Sequence, residues 1–195
     1  DDALQKNHKS SVNEILYAGQ HLLELINEIL DLSQIDAGKL DINLEDTNIS
    51  EIITDSISTM SSVAQQDNIE IINNIQPDID YIVKVDHLRF KQVIINLLSN
   101  AIKYNGEKGK VIIDSSTEKN MLRLSITDTG SGLTPEQQIN IFQPFDRAGK
   151  ENSSIEGTGL GLKISKDLIE LMDGTITVES EAGKGSSFII HVPLA

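Results

Sequence analysis

Gly157-Thr158-Gly159-Leu160-Gly161-Leu162 places three glycines at alternate positions, and a helical apolar pattern then runs through Ile164, Leu168, Ile169, Leu171 and Met172 to a stop at Asp173-Gly174. A glycine-rich turn feeding a helix can bind an anion: bare backbone N–H groups converge there, and the helix N-terminus adds partial positive charge. Glycines also serve tight turns, so the stretch gains meaning only from partners elsewhere in the chain. Three other stretches offer them. Asn96, Asn100 and Lys103 recur at helical spacing on one strip with Arg89 and Gln92. Two amides and a cation there suit phosphates and a hydrated Mg²⁺, which takes oxygen ligands and keeps several waters; an ordinary solvated helix face is the alternative. Asp128-Thr129-Gly130-Ser131-Gly132 follows a strand pattern. Its carboxylate can accept from an exocyclic amine, and its glycines let a flat ligand approach the backbone; a plain turn has the same composition. In Phe142-Gln143-Pro144-Phe145-Asp146-Arg147, two aromatics can anchor the base of a lid or fill a core, and Arg147 can reach a phosphate.

These residues need elements to hold them. Asp86 reads as the cap of a helix running to about Tyr104, with Leu97, Leu98, Ala101 and Ile102 on the arc opposite the polar strip. Val111 to Ser116 and Leu122 to Thr127 predict an antiparallel strand pair joined by polar Thr117-Glu118-Lys119-Asn120. Thr134-Pro135-Glu136 opens a short helix ending near Phe142. Gln143 to Glu156 has no apolar period and is long enough to be a lid or simply a mobile loop. Thr175 to Glu179 and Ser187 to Val192 read as strands around the turn Gly183-Lys184-Gly185. Upstream, Leu40, Ile42 and Leu44 alternate with polar residues as a short strand. Asn48-Ile49-Ser50-Glu51 then starts a helix with Ile52, Ile53, Ile57, Met60 and Val63 inward. Ile69 to Ile75 and Tyr81 to Val85 are strands flanking the turn Gln76-Pro77-Asp78. The expected fold is α+β: a two-layer α/β sandwich, with a mixed, mainly antiparallel sheet and about three helices on one face.

One long helix precedes this domain, from about Asp2 to Ile35. Val12, Ile15, Gly19, Leu22, Ile26, Ile29 and Ser33 alternate in steps of three and four, and Leu16, Leu23 and Leu30 widen the stripe. Such a stripe pairs with a helix of another chain or packs on the rest of its own. Asp36-Ala37-Gly38-Lys39 carries a glycine cap, which puts the domain boundary near Gly38, dividing residues 1–38 from 39–195.

Composition narrows the classes. Thirty acidic residues against sixteen basic give a net charge of −14 in 195 residues, which argues against a nucleic-acid partner and against anionic lipid. Cysteine is absent, so disulfides and thiolate metal sites are excluded and a reducing cytoplasm is permitted. No apolar run reaches the ~18 residues of a membrane span, and none of the four histidines has metal-helix spacing. A cytoplasmic domain is expected, with membrane attachment of the parent protein left open.

The order of the four stretches is more specific than any one of them. An asparagine helix, Asp-x-Gly-x-Gly, Phe-x-x-Phe and then Gly-x-Gly-x-Gly opening a helix resembles the ATP-binding catalytic domain of two-component sensor histidine kinases. That domain belongs to the superfamily shared with type II topoisomerases, Hsp90-type chaperones and mismatch-repair ATPases. The matching boxes are Asn96 to Tyr104, Asp128 to Leu133, Phe142 to Phe145 and Gly157 to Leu162, within a likeness that covers about Leu40 to Ala195. The first helix, ending Leu30-Asp31-Leu32-Ser33-Gln34-Ile35-Asp36-Ala37-Gly38-Lys39-Leu40, is similar to the second helix of the family's dimerisation hairpin.

The resemblance implies roles residue by residue. Asn100 would ligate Mg²⁺ between the phosphates with Asn96 in support, and Lys103 would touch phosphate. Tyr104 would pack near adenine or ribose. Asp128 would accept from the adenine amino group, while Gly130, Gly132 and Leu133 border the ring. Arg147 would reach the γ-phosphate from a lid whose residues Ala148 to Ile155 order on nucleotide binding. Gly157, Thr158, Gly159, Leu160, Gly161 and Leu162 would close over the triphosphate, and Ser187 would place a hydroxyl near adenine. The implied activity is a protein-histidine kinase: transfer of the γ-phosphoryl group of ATP to a histidine of the hairpin, then to an aspartate on a response-regulator receiver domain, in a homodimer joined through the hairpin.

Two features bear on that activity. ATPase branches of the superfamily place a water-activating glutamate one helical turn before the metal-binding asparagine; this chain has Asn96 there, and an amide is no general base. The resemblance thus implies slow hydrolysis and a phosphoryl group kept for another acceptor. The family's acceptor motif, histidine followed by an acidic residue and a Ser/Thr-Pro run, is absent: His8 precedes Lys9-Ser10-Ser11, and His21 precedes Leu22-Leu23-Glu24. The chain is therefore expected to begin after the acceptor helix and to need it for autophosphorylation. A non-catalytic ATP-binding or interaction module is the alternative.

Overall fold

The structure, a computed structural model, describes residues 2–76, 81–146 and 157–195. Arg147, the lid segment Ala148 to Ile155 and the Pro77-Asp78 turn lie outside the described residues, as do the side chains of His8 and His21. The chain divides into two compact units, Asp1–Leu40 and Asp41–Ala195.

The first unit is helix α1 (Asp2–Asp36). It stops where Gly38 turns left-handed at φ 62°; the Gly38 N–H donates to the Ile35 carbonyl and the Lys39 N–H to the Gln34 carbonyl, both at 2.9 Å. This pair of bonds satisfies carbonyls that the helix end leaves unpaired. Ile15, Leu22 and Ile29, seven residues apart, are all exposed, at 70%, 58% and 51%.

The second unit comprises β1 (Glu45–Asn48), α2 (Ile49–Gln66), β2 (Glu70–Asn73), β3 (Ile82–Val85), α3 (His87–Lys103), β4 (Lys110–Glu118), β5 (Met121–Asp128), α4 (Pro135–Asn140), α5 (Gly161–Leu171), β6 (Thr175–Glu181) and β7 (Gly185–Pro193). Five strands form a mixed sheet in the order β2-β4-β5-β7-β6, with β2 parallel to β4 and every other pair antiparallel. The antiparallel pair β1–β3 stands apart, joined to the chain end by a bridge between Val83 and Leu194.

Strand periodicity explains the core. Val111 and Ile113 of β4, Leu122, Leu124 and Ile126 of β5, and Ile190 and Val192 of β7 share one face, and all are buried. Phe90, Val93, Ile94, Leu97, Leu98, Ala101 and Ile102 of α3 are buried as well. Helix α3 packs on β4 and β5, α5 on β6, and α2 on α3 and β2. The mixed sandwich read from the sequence is the fold observed. Among the described residues this unit holds four helices, and the short α4 is closed by a capping box between Thr134 and Gln137.

Two expectations need correction. The strand predicted at Leu40 to Glu45 starts only at Glu45. It is defined by its partner, since Glu45 to Asn48 pair with Val85 to Ile82, and the upstream Asn43 N–H donates to the Asp86 carboxylate at 3.0 Å instead. Val63 does not face inward on α2; it is 41% exposed, and Ile49, Ser56 and Ala64 complete the buried face. Ser56 tolerates burial because its hydroxyl donates to the Ile52 carbonyl at 2.7 Å.

Candidate functional site

Helix α3 carries the polar strip. Asp86 caps it, its carboxylate accepting from the Arg89 N–H at 3.0 Å. The strip is not a freely solvated face: Asn96, Asn100 and Lys103 are each half-buried where α3 meets α5. The Asn96 amide donates to the Ser165 hydroxyl of α5 at 2.8 Å, and the Asn100 amide donates to the Asn96 carbonyl oxygen at 3.4 Å. A Cβ on Gly161 would stand 2.6 Å from that same Asn96 oxygen, so the bare glycine leaves the Asn96 side chain its place where the helices meet. Two turns further along α3, a Cβ on Gly157 would come within 2.9 Å of Lys103 Nζ. The glycine turn and the asparagine helix are thus apposed at two points, four residues apart on the turn and seven on the helix.

The turn itself is braced. The Phe145 N–H donates to the Gly159 carbonyl at 3.0 Å, and a Cβ on Gly159, whose φ is 77°, would collide with Phe145 backbone atoms at 2.7 Å. The Thr158 hydroxyl accepts from the Leu160 N–H at 3.0 Å. Among the described residues no side-chain hydrogen bond caps α5, whose N-cap position is Leu160, and uncapped first-turn N–H groups are the kind that bind anions. Of the two aromatics, Phe142 packs edge-on against Phe188 at 6.4 Å between centroids, whereas Phe145 is 65% exposed and left-handed at φ 65°. Phe142 is therefore the anchor; Phe145 contributes backbone.

Asp128 ends β5 with its side chain buried, and its carboxylate accepts from the Gly130 N–H at 2.8 Å. Gly130 lies against the C-terminal end of α3: a Cβ there would stand 2.2 Å from the Tyr104 carbonyl oxygen. Asn105 ties the same two segments, accepting from the Thr129 hydroxyl at 3.1 Å and donating to the Lys110 carbonyl at 2.9 Å. Gly132 meets the β6–β7 hairpin, where a Cβ would be 2.0 Å from the Glu181 carbonyl oxygen. The Lys103 ammonium sits 5.5 Å from the Tyr104 ring centroid, keeping both side chains at this end of the helix.

Four predicted positions change character. Leu133 is buried in a small cluster with Ile141, Phe142, Leu162 and Val178, and Leu160 is fully buried. Leu133 and Leu160 therefore support the loops from below, with half-buried Leu162 packed against the same cluster. Ser187 pairs with Thr127, the two hydroxyls 2.9 Å apart, so strand alternation turns it to the face opposite Asp128. Ser186 occupies the Asp128 face. It is buried, 3.0 Å from the Ser180 hydroxyl, which in turn accepts from the Leu133 N–H at 2.8 Å. Ser165, Ser186 and Asn105 escaped the sequence reading because serine and asparagine carry no spacing signal across separate elements.

The donor set suits a nucleotide with a divalent cation. An amide oxygen from Asn100 plus phosphate oxygens is the kind of sparse protein contribution Mg²⁺ accepts. No group of three or more His, Cys, Asp or Glu that could hold a metal occurs among the described residues.

Residues 85–195 match the family model described as histidine kinase-, DNA gyrase B-, and HSP90-like ATPase. The chain is 35% identical over 193 residues to the circadian input-output histidine kinase CikA of Synechococcus elongatus, covering 97% of this chain and 26% of that protein. Among solved structures, full-length ShkA in complex with AMPPNP aligns with a TM-score of 0.82 at 29% identity, over 96% of this chain and 39% of ShkA. The histidine kinase ThkA, solved in complex with the response regulator TrrA, aligns at 0.68 and 28%, over 89% of this chain and 49% of ThkA. The chain thus spans about a quarter of the curated relative it matches. The chain belongs to the histidine kinase-, DNA gyrase B- and HSP90-like ATPase family, and its second unit is a catalytic ATP-binding domain of the sensor histidine kinase kind.

Proposed function

We propose that the chain binds Mg-ATP and directs its γ-phosphoryl group to a histidine of a dimerisation hairpin, for onward transfer to a receiver-domain aspartate. The observation that carries this reading is the double apposition of turn and helix, Gly161 on Asn96 and Gly157 on Lys103, with buried Asp128 beside the C-terminal end of the same helix. In this reading Asp128 accepts from the adenine amino group, and the close fit of Gly130 to Tyr104 keeps that end of the cleft open to a flat ring. Lys103 and the first N–H groups of α5 hold phosphate, and the Asn100 carbonyl oxygen offers a ligand to Mg²⁺. Bound Mg²⁺ supplies charge neutralisation of the phosphates. Asn96 keeps its carbonyl oxygen toward Asn100 and its amide toward Ser165, and it has no group that could take a proton from water. Catalysis then rests on positioning and charge stabilisation.

Helix α1 would supply the second helix of the hairpin, pairing with a second copy through its exposed heptad-spaced residues. The ThkA–TrrA complex supports a response regulator as partner, and full-length ShkA with AMPPNP supports ATP as ligand. No helix among the described residues is long and apolar enough to cross a membrane.

Incubating the chain with γ-labelled ATP and a separately produced acceptor hairpin tests the reading. Acid-labile phosphohistidine on the hairpin is expected. Nucleotide binding without transfer would leave an ATP-binding module, and rapid phosphate release without acceptor would make the chain an ATPase.

A further inference from the structure

Ser165 lies outside every glycine and asparagine box, yet it is 2% exposed and is hydrogen-bonded to the centre of the site. Its hydroxyl accepts from the Asn96 amide at 2.8 Å. That bond anchors the tip of the Asn96 side chain on α5. With the NH₂ group held by α5, the carbonyl oxygen points along α3 and accepts from the Asn100 amide at 3.4 Å. An asparagine has one oxygen and one NH₂ at its tip, so engaging the Asn100 NH₂ toward Asn96 turns the Asn100 oxygen the other way. Gly161 leaves the room this arrangement needs: a Cβ there would stand 2.6 Å from the Asn96 oxygen.

We propose that Ser165 is a positioning residue, the first link of a relay Ser165–Asn96–Asn100 that presents the Asn100 carbonyl oxygen to the divalent cation of a bound nucleotide. The relay rests on the nucleotide-binding reading above. It also ties the metal ligand to α5, the helix that the glycine turn opens. An ordinary helix–helix hydrogen bond would stabilise the packing equally with or without a metal. The relay acts only on the metal-bound form, because only that form needs the Asn100 oxygen turned outward.

Calorimetric titration of the full 195-residue chain with ATP, once with excess Mg²⁺ and once with EDTA, separates the two. Ser165→Ala removes the acceptor; Ser165→Cys fills the space but accepts only weakly. Both are expected to weaken ATP binding about 3- to 10-fold in Mg²⁺, the size of one lost hydrogen bond, and to change it by less than about twofold in EDTA. In an Asn96→Ala background, Ser165→Ala should add nothing to the Mg²⁺-dependent loss. A cysteine variant that binds like the unsubstituted chain, or equal losses in the two buffers, would overturn the relay and leave Ser165 a packing residue. An unsubstituted chain that binds ATP in neither buffer would overturn the nucleotide-binding reading and the relay together.

Discussion

The carbonyl oxygen of Tyr104 lies so close to Gly130 that a Cβ there would stand 2.2 Å from it. The end of the asparagine helix and the loop after Asp128 are therefore one packed unit, and Gly130 is required for its lack of a side chain. Gly130→Ala is expected to lower stability by about 1–3 kcal/mol through overpacking, and to weaken nucleotide binding because Asp128 accepts from the Gly130 N–H. Gly106, with nothing within 4 Å of a notional Cβ, is the control. Its alanine variant should be neutral or gain up to about 1 kcal/mol from a stiffer unfolded chain. Urea denaturation of both variants, read with calorimetry, checks the contrast.

In the proposed reading Asp128 offers its charge to adenine from a buried strand end. Asp128→Asn keeps an oxygen for the Gly130 N–H but removes the charged acceptor. Adenine-nucleotide affinity should fall by about 1.5–3 kcal/mol with the circular dichroism spectrum unchanged. Unaltered affinity in a titration would remove Asp128 from its role as base reader.

The two adjacent serines of β7 make a sharper pair. Ser186 is buried on the Asp128 face, and Ser187 is bonded to Thr127 on the other. Ser186→Ala should weaken nucleotide binding by about 0.5–1.5 kcal/mol, one hydrogen bond's worth. Ser187→Ala should change it by less than about 0.5 kcal/mol, as for substitutions away from a site. The reverse ranking would restore the hydroxyl at Ser187 to the adenine side.

Leu22 stands at the middle of the exposed heptad series of α1, between Ile15 and Ile29. Leu22→Asp places a charge in that seam. Sedimentation should show a dimer for the unsubstituted chain and a shift of about tenfold or more toward monomer for the variant, since one buried leucine contributes about 1.5–3 kcal/mol. A monomer in both cases would refute pairing through this stripe.

Local signals in the sequence determined a great deal here. Asp86, Asn48, Thr134 and Gly38 announce helix ends because capping is chemistry within four residues. Apolar period separated the buried arc of α3 from its polar strip, and the order of the four boxes pointed to the family. Tertiary structure decided whatever depends on what lies opposite. The strand near Leu40 moved to Glu45 because a strand exists only where a partner pairs with it. Val63 yielded its inward place to small Ala64 where α2 meets its neighbours. The register of β7 with β5 put Ser186, not Ser187, on the Asp128 face, because a shift of one residue in a strand exchanges the two faces. Ser165 joined the site because α5 lies beside α3, a contact between residues 69 positions apart that no spacing rule encodes.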